Sequence, residues 1–76
     1  MVSKKLFHSF DEVMKVQQYA SMWPHDVALH SLDSSVTVDA KSFIGCYTLD
    51  FHQPVLVVSE DASFHNLIRN IGENVA

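Results

Sequence analysis

A chain of 76 residues makes one domain, in which folding removes only about 60% of the surface exposed by the unfolded chain, so the core is modest. With 47% hydrophobic and 18% charged residues, two Gly and two Pro, the composition is that of a globular chain folded nearly end to end. The net charge of -4, with no Lys/Arg cluster beyond Lys4 and Lys5, excludes a phosphate-backbone binder. The single Cys46 excludes an internal disulfide, and the N-terminal segment holds no apolar run suited to a signal peptide or membrane span. A soluble cytoplasmic domain over residues 1–76 is expected, without nucleic-acid or membrane partners.

Val2 to Phe10 mixes apolar and polar residues as a short first strand does. Ser9-Phe10-Asp11-Glu12 then reads as a capping box, the Ser9 hydroxyl taking the Glu12 amide and the Glu12 carboxylate returning to the Ser9 amide. The helix that follows is predicted over 11–22, with Val13, Val16, Ala20 and Trp23 on one apolar face and Pro24 preventing continuation. Val27 and Leu29 face Val36 and Val38 across the polar run Asp33-Ser34-Ser35, the pattern of a hairpin. Ser42 can cap a second, short helix over Phe43 to Thr48, and Pro54 opens the β-branched strand Val55-Leu56-Val57-Val58. Phe64, Leu67, Ile68, Ile71 and Val75 lie at helical spacing after Asp61, so the chain is expected to end in a helix. The order βαββαβα with amphipathic helices predicts an α+β, two-layer open-faced sandwich: a four-stranded antiparallel sheet with three helices on one face.

The segment Val36-Thr37-Val38-Asp39-Ala40-Lys41-Ser42-Phe43-Ile44-Gly45-Cys46-Tyr47-Thr48-Leu49 resembles the middle of HPr, the histidine phosphocarrier of the bacterial phosphoenolpyruvate-dependent sugar phosphotransferase system. In that family a strand ends in an Asn/Asp-Ala-Lys-Ser run, the Ser caps a short helix and Gly follows three residues later. The similarity covers about residues 36 to 58, and the element order extends it to the whole chain. The first half departs from the family. Where HPr carries Gly-x-His-Ala-Arg-Pro, this chain reads Phe7-His8-Ser9-Phe10-Asp11-Glu12, with no Gly, Arg or Pro. A phosphohistidine is dianionic and the family holds it with helix amides and an Arg, whereas Asp11 and Glu12 repel it. His8, and less so Ser9, are therefore weak phosphate acceptors.

What the resemblance implies lies around Ser42. In HPr proteins of low-GC Gram-positive bacteria the matching serine is the target of a regulatory kinase, and the phosphorylated form binds a transcriptional repressor. Here a phosphate would face helix amides beside Lys41, although Ser is also favoured at an N-cap for its own sake, by about 1 kcal/mol over Ala. Phe43, Ile44 and Tyr47 share a helical face matching the surface by which HPr meets its partners, unless part of it is core, while Cys46 and Leu49 point inward. His25, His30, His52 and His65 are scattered, without metal-ligand spacing, and read as surface residues; no metal and no cofactor is expected.

Three functions follow in order. The first is a non-catalytic regulatory or interaction module docking through Lys41, Phe43, Ile44 and Tyr47 and modified at Ser42, its partners being phosphotransferase-system components or a serine kinase. The second is an atypical phosphocarrier using His8 or Ser9. The third is a homodimer that pairs or exchanges the first strand through open sheet edges. An enzyme is not expected, since no nucleophile-base pair, phosphate-cradling Gly loop or converging carboxylate pair is present.

Overall fold

A computed structural model gives the fold of residues 1–75. Strand β1 (Val2–Leu6) leads into helix α1 (Phe10–Met22), then β2 (Ala28–His30), β3 (Thr37–Asp39), a 3-10 helix (Gly45–Thr48), β4 (Val55–Val58), helix α2 (Ala62–Leu67) and β5 (Glu73–Asn74). The strands form one antiparallel sheet in the order β3-β2-β4-β1-β5.

Register fixes which residues face the helices. Lys5 pairs with Val55, Ser3 with Val57, and Leu29 with both Val57 and Val38, so these six side chains share one face. Leu29, Val55 and Val57 are buried there with Val13, Val16 and Ala20 of α1 and Phe64 and Ile68 around α2. The other face carries Leu6, Ala28, Leu56 and Val58, all half-buried, and the exposed Val2. Both helices thus cover one side of an α+β sheet.

The sequence explains each end of α1. Ser9 is extended and its hydroxyl accepts from the Glu12 amide at 3.4 Å, while Trp23 leaves the helix at φ -81, ψ 137 ahead of Pro24. Trp23 then stacks edge-on against Phe64 and donates from Nε1 to Asp61 Oδ2 at 3.2 Å. Asp61 is also the N-cap of α2, accepting from the Ser63 amide at 2.9 Å, so one carboxylate joins the two helices. In the hairpin, Asp33 Oδ1 gathers the Ser35 amide and the Ser31 and Ser35 hydroxyls, which lets Ser34 take the left-handed φ of 60.

Three expectations are corrected. The sheet has five strands, and two α-helices rather than three pack on it. The segment 43–48 holds only a 3-10 turn, because Gly45 and the β-branched Thr48 are weak helix formers in a stretch too short to nucleate one. The last helix stops at Leu67, and Ile71 and Val75 do not continue its face. Gly72, at φ +72, turns the chain back to the sheet, where Val75 donates its amide to the Lys4 carbonyl at 2.9 Å. β5 thereby lies against the edge of β1 opposite Lys5 and Leu6, so strand exchange or pairing through β1 meets an edge partly occupied; β3 is the strand at the other edge.

Candidate functional site

The residues singled out in the two halves of the chain meet at the N-terminal end of α1. Phe10, the first helical residue, stacks on Tyr47 with ring centroids 4.7 Å apart, and Tyr47 meets Phe43 at 5.6 Å. Phe51 closes the arrangement, edge-on to Phe10 at 6.4 Å and to the buried Phe7 at 6.0 Å. Between them is an open groove of about 360 Å³, lined by Phe7, His8, Ser9, Phe10, Tyr47 and Asp50 among others. His8 and Tyr47, 39 positions apart, thus face one depression.

None of the apolar residues expected for docking is absorbed by the core. Phe43 is 53% exposed, Ile44 79% and Tyr47 59%, while Cys46 and Leu49 point inward as expected. Burial, with a lesser contribution from Asp39, pushes the Cys46 thiol up, away from thiolate reactivity. Ser42 is exposed, and its hydroxyl accepts from the Gly45 amide at 3.0 Å, closing the turn that leads into the 3-10 helix, whose own N-cap is Ile44. Lys41, half-buried beside Ser42, also ties this segment to α1. Its ammonium donates to the Trp23 carbonyl at 2.7 Å, supplying a cation at the end of α1, whose last turn has none, and its carbonyl accepts from the buried Gln17.

The two phosphate-acceptor candidates are exposed but surrounded by carboxylate. His8 Nε2 pairs with Glu73 Oε1 at 3.0 Å. The Glu12 carboxylate returns to the start of the helix, where Oε1 accepts from the His8 amide at 2.6 Å and the Ser9 amide adds a smaller attraction, and Oε2 accepts from the Gly72 amide at 3.1 Å. The His8 N–H bond is the largest cause holding the Glu12 carboxyl below its ordinary range. The Glu12 carboxylate thus occupies the His8 amide just before the helix and the Gly72 amide in the C-terminal turn.

Two polar groups escaped the sequence reading. Lys5 lies on the core face, 1% exposed, its ammonium donating to Asn74 Oδ1 at 2.9 Å and approaching the Arg69 carbonyl at 3.5 Å. Desolvation lowers its pKa, opposed by the attraction of Glu12. His65 is not a free surface residue: its Nε2 donates to the Ser59 carbonyl at 3.0 Å and its Nδ1 bonds Ser3 Oγ at 2.6 Å. Alternation along β1 places Ser3 and Lys5 together on the helix side, a signal present in the sequence once the strand register is fixed. His30 is half-buried, while His25 and His52 are exposed. A second open depression, of about 650 Å³, lies at the other end of the sheet by His25, Asp26, Glu60 and Asp61. Among the described residues no three His, Cys, Asp or Glu are grouped as a metal site, and no helix is long and apolar enough to cross a membrane.

No family model, curated protein or solved structure matches the chain. The resemblance to HPr is one of sequence over residues 36–58.

Proposed function

We propose that this chain is a small protein-interaction module, HPr-like in plan, which docks a protein partner through the aromatic surface of Phe10, Phe43, Ile44 and Tyr47 and carries no phosphate on His8. The observation that carries the reading is the exposure of Phe43, Ile44 and Tyr47 as one contiguous patch on a turn whose inward residues, Cys46 and Leu49, already satisfy the core. Contiguous exposed aromatic surface on a small domain is the usual mark of an interface. Ser42 stands at its margin, next to Phe43, where a phosphate would change the charge of the docking face; a regulatory kinase and sugar-phosphotransferase components are the partners that the resemblance suggests.

Two measurements test the reading. Affinity capture with the wild-type chain and with the double variant Phe43→Ser/Tyr47→Ser is expected to recover a partner that the variant loses. Equal recovery by both removes the surface from consideration. Incubation with the general phosphotransferase enzyme and phosphoenolpyruvate is expected to leave the chain unmodified, and an acid-labile phosphate on His8 overturns the non-carrier part of the proposal.

A further inference from the structure

We infer that the groove takes a cationic peptide segment of its protein partner, with Lys or Arg side chains set around an apolar anchor. The inference rests on the docking role proposed above and adds the chemistry of the occupant. Charge complementarity carries it. Asp50 lines the groove, Asp11 follows Phe10 directly, Glu12 is bonded to the His8 amide and Glu73 to the His8 ring. One carboxylate, Asp50, is in the lining and three more adjoin it, while the lining's basic groups are His8 and His52 and no Lys or Arg. Of the chain's five Lys and Arg, Lys5 is buried, the Lys41 ammonium is bonded to the Trp23 carbonyl, Arg69 lies in the turn after α2, and Lys4 on β1 and Lys15 on α1 are outside the lining.

The aromatic floor suits the same occupant. Phe10 is 38% exposed and Tyr47 59%, so ring surface that an Arg or Lys can cover, or an apolar anchor can fill, is available beside the carboxylates. An acidic segment meets the Asp50 carboxylate in the lining and the neighbouring Asp11, Glu12 and Glu73, which disfavours it. A second copy of the chain is a poor occupant, since its own Lys4 and Lys5 project to opposite faces of β1 and Lys5 is buried.

The test is selection of a random twelve-residue peptide library, displayed on phage, against the whole chain, followed by binding measurements on the enriched peptides. Enriched sequences are expected to combine Lys or Arg with an apolar anchor. Their affinity should fall about tenfold or more for Tyr47→Ser and roughly two- to fivefold for Asp11→Asn/Asp50→Asn, and weaken with added salt. Asn at 50 keeps the side-chain oxygen that accepts from the His52 amide at 2.9 Å, and circular dichroism checks that each variant is folded. Neutral or acidic enriched sequences that still depend on Tyr47 overturn the cationic inference and leave the docking role standing. Failure to enrich any sequence that distinguishes wild type from Tyr47→Ser overturns both. A dimer in sedimentation that Tyr47→Ser dissociates assigns the groove to a second copy and also overturns the inference.

Discussion

Replacing Gly72 by Ala should destabilise the fold by more than its position near the chain end suggests. Two costs add. The residue sits at φ +72, where an L side chain loses about 1–2 kcal/mol. A Cβ there would stand 2.9 Å from Phe7 Cδ1 and 3.1 Å from the Leu6 carbonyl oxygen, well inside the 3.5–4.0 Å of ordinary carbon contact. Phe7 is 5% exposed and wedged edge-on against Phe51, so its ring has little room to retreat, and overpacking of this kind costs about 1–3 kcal/mol. The sum, about 2–5 kcal/mol, is a large part of the roughly 4–11 kcal/mol expected for a chain of this length. Urea unfolding followed by tryptophan fluorescence measures it through Trp23. Two comparisons separate the terms. Gly72→Asn tolerates the left-handed angle but keeps a Cβ, so it should recover only the backbone share. Gly45→Ala lacks the positive φ and meets mainly the Ser42 side chain at 3.0 Å, so about 1 kcal/mol, the worth of the hydrogen bond that Ser42 accepts, is expected. A loss below 0.5 kcal/mol for Gly72→Ala would refute the claim that this turn, and with it β5, is built on glycine.

Glu12→Gln retains one acceptor oxygen where the carboxylate offers two. The amides of His8 and Gly72 cannot then both be satisfied by it, and hydrogen exchange at Gly72 and along Glu73 to Val75 should accelerate while that of Val57 stays slow. Asp33 is held at about 2 by the Ser35 amide and hydroxyl and the Ser31 hydroxyl. Its folded value lies below its ordinary 3.8, so its stabilisation is complete above that pH and is lost as pH falls toward 2; Asp33→Asn should flatten the acid limb of a stability curve. Lys5 gives a slope of the same sign at the alkaline end, as a burial penalty relieved rather than a stabilisation gained. With its pKa lowered by burial from 10.5, the unfolded chain binds the extra proton, so stability should rise with pH in the window just below 10.5; Lys5→Met should remove that rise, and an unchanged curve contradicts the buried ammonium.

The parts of the fold legible in the sequence are those set by local chemistry. Ser9 and Pro24 bracket α1 closely, Asp33-Ser34-Ser35 makes the hairpin turn, and Val55 to Val58 is a strand. What misled was periodicity without a stop signal. Phe64, Ile68, Ile71 and Val75 read as one helical face, but the helix stops at Leu67, and Gly72 then turns the chain so that the Val75 amide reaches the sheet. The same limit hid β5, whose two residues carry no strand signal and are placed by Lys5, Asn74 and the Val75 amide. The candidate surface was legible in its members, since Phe43, Ile44 and Tyr47 do point outward, but not in its extent. Phe10 and Phe51 join it through contacts between segments far apart in sequence, which spacing alone cannot show.

Glu12 supplies the physical argument for the proposal that His8 carries no phosphate. A phosphorylated His8 would place a dianion where the Glu12 carboxylate already holds the His8 and Gly72 amides and where Glu73 approaches the ring. To accept it, the chain would have to release Glu12, and Gly72 would then lose the bond that draws the C-terminal segment back toward β1. A carboxylate in the first turn also interacts favourably with the positive end of the helix dipole while repelling a second anion. One side chain thus anchors β5, starts α1 and adds to the negative border of the aromatic groove. On the proposed reading, phosphate at His8 would disturb these Glu12 and Glu73 bonds, whereas docking of a cationic segment leaves them in place.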